Sequence, residues 1–362
     1  MHLRRPLWLN AISLLLSCFC AAMVVGCQSL RSKIPPLATA PIEINSPSVS
    51  EEEFWSDHNR LLLSLLRATE NLQRGPLCDG WVVRRGGESR LLATEFHGFP
   101  WEPKDFQQVA LIGYYSNSRL KSRQVREGFG VPVVLIRHRT DRPSNPRLDS
   151  SGTGDLSGDF LGETSCFAAT AVLSPDGCSL RFYNPVAMRE VDYEGAQMAL
   201  GYDLTASIAY ALHHHPQSRI QDFLRPDRSE DPSRLTMLEP YQPDKIPLIL
   251  IHGLLSSPDT FGELYNQLRT DPELMDAYQV WVFKYATGKP FIRAASELRS
   301  ELDRVVSVFD PELENEQLRS GVIVGHSMGG LISRLMISYS GERVWDSVSR
   351  VPLEQIATDE ST

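Results

Sequence analysis

The sequence predicts an α/β fold. A parallel sheet with flanking helices fills roughly the last third of the chain, and a mixed α+β region precedes it. Three observations lead there. Residues 246–251 read IPLILI, apolar and branched almost throughout, as in a strand buried on both faces. Two similar runs follow, YQVWVF at 278–283 and GVIVG at 321–325, each separated from the last by a stretch of helical spacing. Upstream, between Trp81 and Asn184, the apolar pattern shortens to strand lengths.

At the N-terminus, Arg4 and Arg5 precede an apolar stretch from Leu9 to Val25. Its length suits a signal h-region and is short for a stable membrane span. It ends in Val24-Val25-Gly26-Cys27, which resembles a bacterial lipobox. That resemblance implies a signal peptide over 1–26, an acylated Cys27 at the mature N-terminus, and a lipid-anchored protein of the bacterial cell envelope. Two or three acyl chains suffice for stable anchoring, where one is marginal. Gln28 follows the cysteine, in place of the aspartate that favours inner-membrane retention in some bacteria. Residues 27–50 are rich in Pro and Ser, lack periodicity, and read as a tether.

Residues 51–240 form the predicted α+β region. Ser50-Glu51-Glu52-Glu53 is a capping box that opens a helix. Phe54, Leu61, Leu62, Leu65, Leu66 and Leu72 are placed on its apolar face. Strands are expected at 109–115, 131–136 and 166–173. A loop is expected over Asp141–Asp159, and a helix over Tyr202–His213. Ser174-Pro175-Asp176-Gly177 is a turn signal. If it closes a hairpin, Cys178 sits at the turn and Cys166 roughly 20 Å away along the other strand. No disulfide is then expected between them. Pro226 to Pro243 reads as the linker to the second domain, 241–362. There the helices fall near 259–269, 290–309 and from the last strand to about 340.

Composition is that of an ordinary globular protein, and the net charge of −9 argues against nucleic-acid binding. Arg119, Lys121, Arg123, Arg126, Arg137, Arg139, Arg142 and Arg147 cluster in sequence. A solvated face is the favoured reading over an anionic membrane surface. His213, His214 and His215 point in different directions on a helix, so they are read as favourable charges at a helix end, not as metal ligands. No metal and no cofactor are expected.

The last strand runs into Gly325-His326-Ser327-Met328-Gly329-Gly330 and then a helical stretch. Two glycines and a serine at this spacing arise by chance in roughly one chain in ten of this length, so the strand–turn–helix context carries the inference. A serine on so sharp a turn needs small residues two before and two after it, and Gly325 and Gly329 provide them. Gly330 is expected to let the helix approach the sheet. About 75 residues upstream, the strand 246–251 leads into His252-Gly253-Leu254-Leu255. A turn there can aim backbone N–H groups at a developing oxyanion.

Together the IHGLLSSPDTF and VIVGHSMGGL segments resemble the α/β-hydrolase superfamily, in particular bacterial lipases and esterases and PGAP1-like serine hydrolases. The resemblance spans about a third of the chain and matches the N-terminal half of such a catalytic domain. It implies Ser327 as nucleophile, with the backbone N–H groups of Leu254 and Met328 as the oxyanion hole. His252, Gly253, Gly325, His326 and Gly329 are implied as elbow and loop support. Neither His252 nor His326 is a candidate base: the first orders its turn, and the second points away from the serine.

In this fold an acid and then a histidine follow the serine. No histidine follows His326 here. Glu342, Asp346, Glu354, Asp359 and Glu360 read as surface charges. The expectation is therefore a partial α/β-hydrolase, incomplete at its C-terminus and close to inactive as written, with an exposed last strand that promotes aggregation. Its substrate class is carboxylic esters, lipid-like ones included, and its partner is the membrane through Cys27. Two alternatives stand beside this: a non-catalytic envelope lipoprotein with a hydrolase-like fold, and an acyltransferase using the same acyl-enzyme.

Overall fold

Glu51–Thr69 forms helix α1, opened by three glutamates that suit the positive end of the helix dipole. Leu62 and Leu66, four residues apart, are fully buried, and Leu65 packs beside them. Leu61 departs from the predicted face: it is 63% exposed, because one residue of rotation carries it off the buried stripe. The computed structural model describes residues 51–73, 75–85, 88–112, 120–138, 160–161, 164–214, 233–338 and 350–351. The signal segment, Cys27 and the tether lie outside these residues. So do the 141–159 loop, His215 and the carboxylates Glu342, Asp346, Glu354, Asp359 and Glu360.

Strands β1 (Trp81–Arg85), β2 (Glu88–His97), β3 (Gln108–Leu111), β5 (Val131–His138), β6 (Thr164–Leu173) and β7 (Ser179–Tyr183) build a six-stranded mixed sheet. Its order is β1-β2-β7-β6-β5-β3. Only β2 and β7 run parallel. The predicted hairpin is present: Ser174 N–H donates to Ser179 O at 2.9 Å, and Gly177 takes a φ of 66°. No disulfide joins Cys166 and Cys178.

The short strand β4 (Val125–Arg126) pairs with β10 (Tyr202–Asp203), and β8 (Glu190–Tyr193) pairs with β9 (Ala196–Ala199). The predicted helix at 202–213 therefore starts two residues later, as α2 (Leu204–His214). The cause is Asp203, whose Oδ1 accepts the Ala206 N–H at 3.0 Å and caps the first turn. His213 and His214 lie in the last turn of α2.

A correction concerns the linker. Residues 234–237 are a strand, β11 (Arg234–Met237), with Leu235 and Met237 buried and Arg234 and Thr236 facing outward. That alternation is the period of two a half-buried strand requires. β11 pairs antiparallel with β13 (Tyr278–Lys284), which runs parallel to β12 (Ile246–Ile251), which runs parallel to β14 (Val322–Gly325). The sheet order is β11-β13-β12-β14, so the sheet begins before residue 241. Helices α3 (Gly262–Leu268), α4 (Pro272–Ala277), α5 (Phe291–Phe309), α6 (Glu316–Arg319) and α7 (Met328–Met336) connect and follow these strands.

The architecture is thus mixed α/β, with seven α-helices among the described residues. All of them fall in one compact unit, Ser46–Thr362. One apolar core runs through both sheets, joining Leu62, Trp81, Phe106 and Phe182 to Leu235, Ile249, Trp281 and Leu298. Leu161 bridges directly to Met237.

Four of the eight residues of the basic cluster are described, and two of these, Lys121 and Arg123, are exposed. Arg123 pairs with Asp203 at 2.7 Å, and Arg126 donates to Leu200 O. Arg137 is buried, with its guanidinium 4.6 Å from the Trp101 ring centre. Arg119, Arg139, Arg142 and Arg147 lie outside the described residues. Among the described residues, no helix is long and apolar enough to cross a membrane.

Candidate active site

Three adjacent parallel strands end together. The register sets Ile251 beside both Phe283 and Gly325, so His252, Tyr285 and Ser327 all emerge at the C-terminal edge of the sheet. Open α/β sheets bind ligands at this edge, in the crevice beyond the strand ends.

Ser327 is the hinge between β14 and α7. Its φ of 55° and ψ of −119° place a non-glycine residue in a conformation that side chains avoid. Such strain costs on the order of 1–3 kcal/mol and persists only where the surroundings enforce it. Here His326 N–H donates to Ile251 O at 2.9 Å. Gly329 N–H donates to His326 O at 2.9 Å, and Gly330 N–H to Ser327 O at 2.8 Å. The serine side chain is exposed.

The glycines of the motif are required by contact. A Cβ on Gly325 would stand 2.4 Å from Gly329 O and from Ser333 Oγ. One on Gly329 would stand 2.1 Å from Ile251 O. Gly330 corrects the sequence reading, because its Cβ would meet nothing closer than Gly325 O at 3.7 Å. The helix approaches the sheet at Gly329.

The turn after β12 packs directly on this hinge. A Cβ on Gly253 would lie 2.9 Å from Ser327 Cβ, 3.0 Å from His326 O and 3.1 Å from His326 Nδ1. Two segments about 75 residues apart in sequence are thereby brought into contact around the serine. Leu254 and Leu255 are each 49% exposed on this turn, and Leu255 has a φ of 52°. Leu255 N–H donates to Thr287 Oγ1 at 3.3 Å. Met328 begins α7, so its N–H has no acceptor within the helix.

The two histidines hold the turn. His252 is 1% exposed and stacks on Tyr285, with ring centres 4.4 Å apart. Its Nδ1 lies 3.1 Å from Gly253 O, and its Nε2 lies 3.4 Å from the Tyr285 N–H. The neutral Nδ1–H tautomer satisfies both contacts. Tyr285 Oη donates to His252 O at 2.8 Å, and burial pushes the phenol above its usual value. The Nδ1 atom of His326 is buried without a hydrogen-bond partner, on the side facing Gly253.

No histidine or carboxylate among the described residues hydrogen-bonds Ser327 Oγ. The cavity between Phe99, Phe167, Glu239, Tyr265 and Arg269 shares no residue with this site, which is open to solvent. Sequence reasoning missed Tyr285 and Thr287. Their signal was position: they follow the YQVWVF strand as His252 follows IPLILI. No protein-family model, no curated protein and no solved structure matches the chain.

Proposed function

We propose that this chain is a serine hydrolase of the α/β-hydrolase type acting on carboxylic esters, with Ser327 as nucleophile. The observation that supports it best is the positive φ of Ser327 at a strand–helix hinge, packed against the Gly253 turn. That backbone lifts the hydroxyl above the sheet edge, where a substrate carbonyl can reach it.

In this reading Ser327 Oγ bonds to the acyl carbon, and its proton passes to a base. The carbonyl π electrons move onto oxygen. The Leu254 and Met328 N–H groups hold that oxyanion, and preorganised donors of this kind are worth roughly 10²–10³ in rate each. Collapse expels the alcohol, which takes a proton, and leaves an acyl-enzyme. Water then adds, and the carboxylic acid leaves as Ser327 regains its proton. His252 and Tyr285 hold the donor turn in place. Cys27, read as acylated, tethers the enzyme to the envelope membrane.

The test is labelling of the purified protein with a fluorophosphonate probe. Slow modification at Ser327, speeded by added imidazole and lost in Ser327→Ala, is expected. A folded protein that resists the probe at Ser327 even with imidazole present would overturn the reading.

One observation favours a second reading, a non-catalytic envelope lipoprotein: Ser327 Oγ has no base bonded to it among the described residues. In that case Ser327→Ala would leave the cellular role of the protein intact.

A further inference from the structure

The turn that carries Leu254 has no slack on its C-terminal side. Ser257 opens a short 3-10 turn, Pro258–Phe261, which runs straight into α3 at Gly262. Ser256 Oγ is hydrogen-bonded to Thr260 Oγ1, and Thr260 N–H donates to Ser257 O at 3.0 Å. Any rotation of α3 is therefore passed to the turn.

Helix α3 is gripped by the region that precedes residue 215. Glu263 accepts the Lys121 N–H at 2.8 Å and the Ser122 Oγ–H at 2.7 Å. Asn266 Nδ2 donates to Ser122 O at 3.0 Å, and its Oδ1 accepts from Thr205 Oγ1 at 2.9 Å. Thr205 Oγ1 in turn accepts the Gln124 N–H at 2.7 Å. Arg269, just past the helix, donates to Ser207 Oγ at 3.1 Å and to Leu204 O. Glu263, Asn266 and Arg269 are all buried. Leu120, Ile208 and Leu212 lie against Gly262.

Apolar packing alone would bury α3 equally well but would let it slide and turn. Charge-assisted bonds to a buried carboxylate fix direction as well as distance. An oxyanion donor must be held to about 0.5 Å to be useful. Building on the reading of Leu254 as such a donor, we propose that residues 120–124 and helix α2 are a working part of the active site. They clamp α3 and so fix the 252–257 turn, with Glu263 and Asn266 as positioning residues. The N-terminal region thereby acquires a role in the chemistry of Ser327, which it does not touch.

The test is hydrogen exchange of the 254–257 amides in the full chain, with fluorophosphonate labelling of Ser327 measured on the same samples. Glu263→Ala is expected to raise exchange at 254–257 about tenfold, the worth of one strong buried hydrogen bond. Glu263→Gln, which keeps an acceptor oxygen, should stay within about threefold of wild type. Leu62→Ala, a core change in α1, should lower the melting temperature and leave these amides alone. Should Glu263→Ala not fold, Ser122→Ala removes one donor and decides the matter. Wild-type exchange at 254–257 in folded Glu263→Ala or, failing that, Ser122→Ala overturns the clamp. Unchanged Ser327 labelling in a variant whose turn has loosened overturns its role in positioning. Failure of the wild-type protein to label even with imidazole present sinks the hydrolase reading, while the exchange result still tests the clamp.

Discussion

Gly253 packs against the side chain of Ser327: a methyl group on Gly253 would stand 2.9 Å from Ser327 Cβ. Nothing larger than hydrogen fits between the turn after β12 and the hinge after β14.

Gly253→Ala should therefore act on the site more than on the fold. Overpacking of this kind costs about 1–3 kcal/mol, and the strain falls on Ser327 and His326. Urea unfolding should show a loss in that range. Fluorophosphonate labelling of Ser327 should fall at least about tenfold, as expected for a displaced donor. Wild-type labelling in this variant would mean that the turn does not serve the serine.

Gly329→Ala and Gly330→Ala should differ sharply although they are neighbours. At Gly329 the new Cβ would stand 2.1 Å from Ile251 O and 2.7 Å from His252 O, forcing β12 and α7 apart. Loss of folding or a fall of several kcal/mol is expected. At Gly330 the nearest atom is 3.7 Å away, so alanine should gain up to about 1 kcal/mol from helix propensity. Thermal melts of the two proteins check this.

Ser327→Gly should be more stable than Ser327→Ala. Both remove the hydroxyl, but only glycine is at ease at a φ of 55°. The difference should be about 1 kcal/mol, the lower end of the usual strain cost. Equal chemical denaturation midpoints would show that the hinge is not strained.

Slow ester cleavage should be rescued by imidazole. No base among the described residues is bonded to Ser327 Oγ, so a small diffusible base can take its proton. Release of nitrophenol from a short-chain nitrophenyl ester should rise with imidazole concentration beyond the uncatalysed background. In Ser327→Ala only the background should rise. Equal rises in both proteins would show that the serine takes no part.

Acid should weaken the α3 clamp. Burial pushes the Glu263 carboxyl up, but hydrogen bonds from Ser122, Gln267 and the Lys121 N–H outweigh it and hold the group below the usual carboxylate range. A carboxyl lowered on folding stabilises fully above its unfolded value of about 4.3. That contribution fades as pH falls through the lower folded value. Glu297, with Ser233, Lys289 and Arg293 bonded to it against its own burial, behaves alike. Stability measured between pH 6 and pH 3 should drop more steeply in wild type than in Glu263→Gln.

Much of the strand framework was legible because it obeys local rules. IPLILI is apolar on both faces and became the central β12. The glycines around Ser327 stand where a sharp turn needs them. What escaped were features decided by distant partners. Arg234–Met237 alternates correctly for a strand, but it lies among prolines, and only its pairing with β13 distinguishes it from a linker. Leu61 is as apolar as Leu62, yet the register of α1 against the core sends it to solvent. Glu263 and Asn266 look like ordinary surface residues of a short helix. Their partners at Lys121, Ser122 and Thr205 are far away in sequence, and no periodicity links them.

The strand order β11-β13-β12-β14 also bears on how the chain is made. A ribosome delivers β11 and β12 before β13, the strand that pairs with both of them. At about 5–20 residues per second, the stretch between Ile251 and Tyr278 keeps them waiting for seconds. During that interval the IPLILI segment has no sheet to join. Until β13 emerges, this apolar segment is the part of the sheet most open to aggregation.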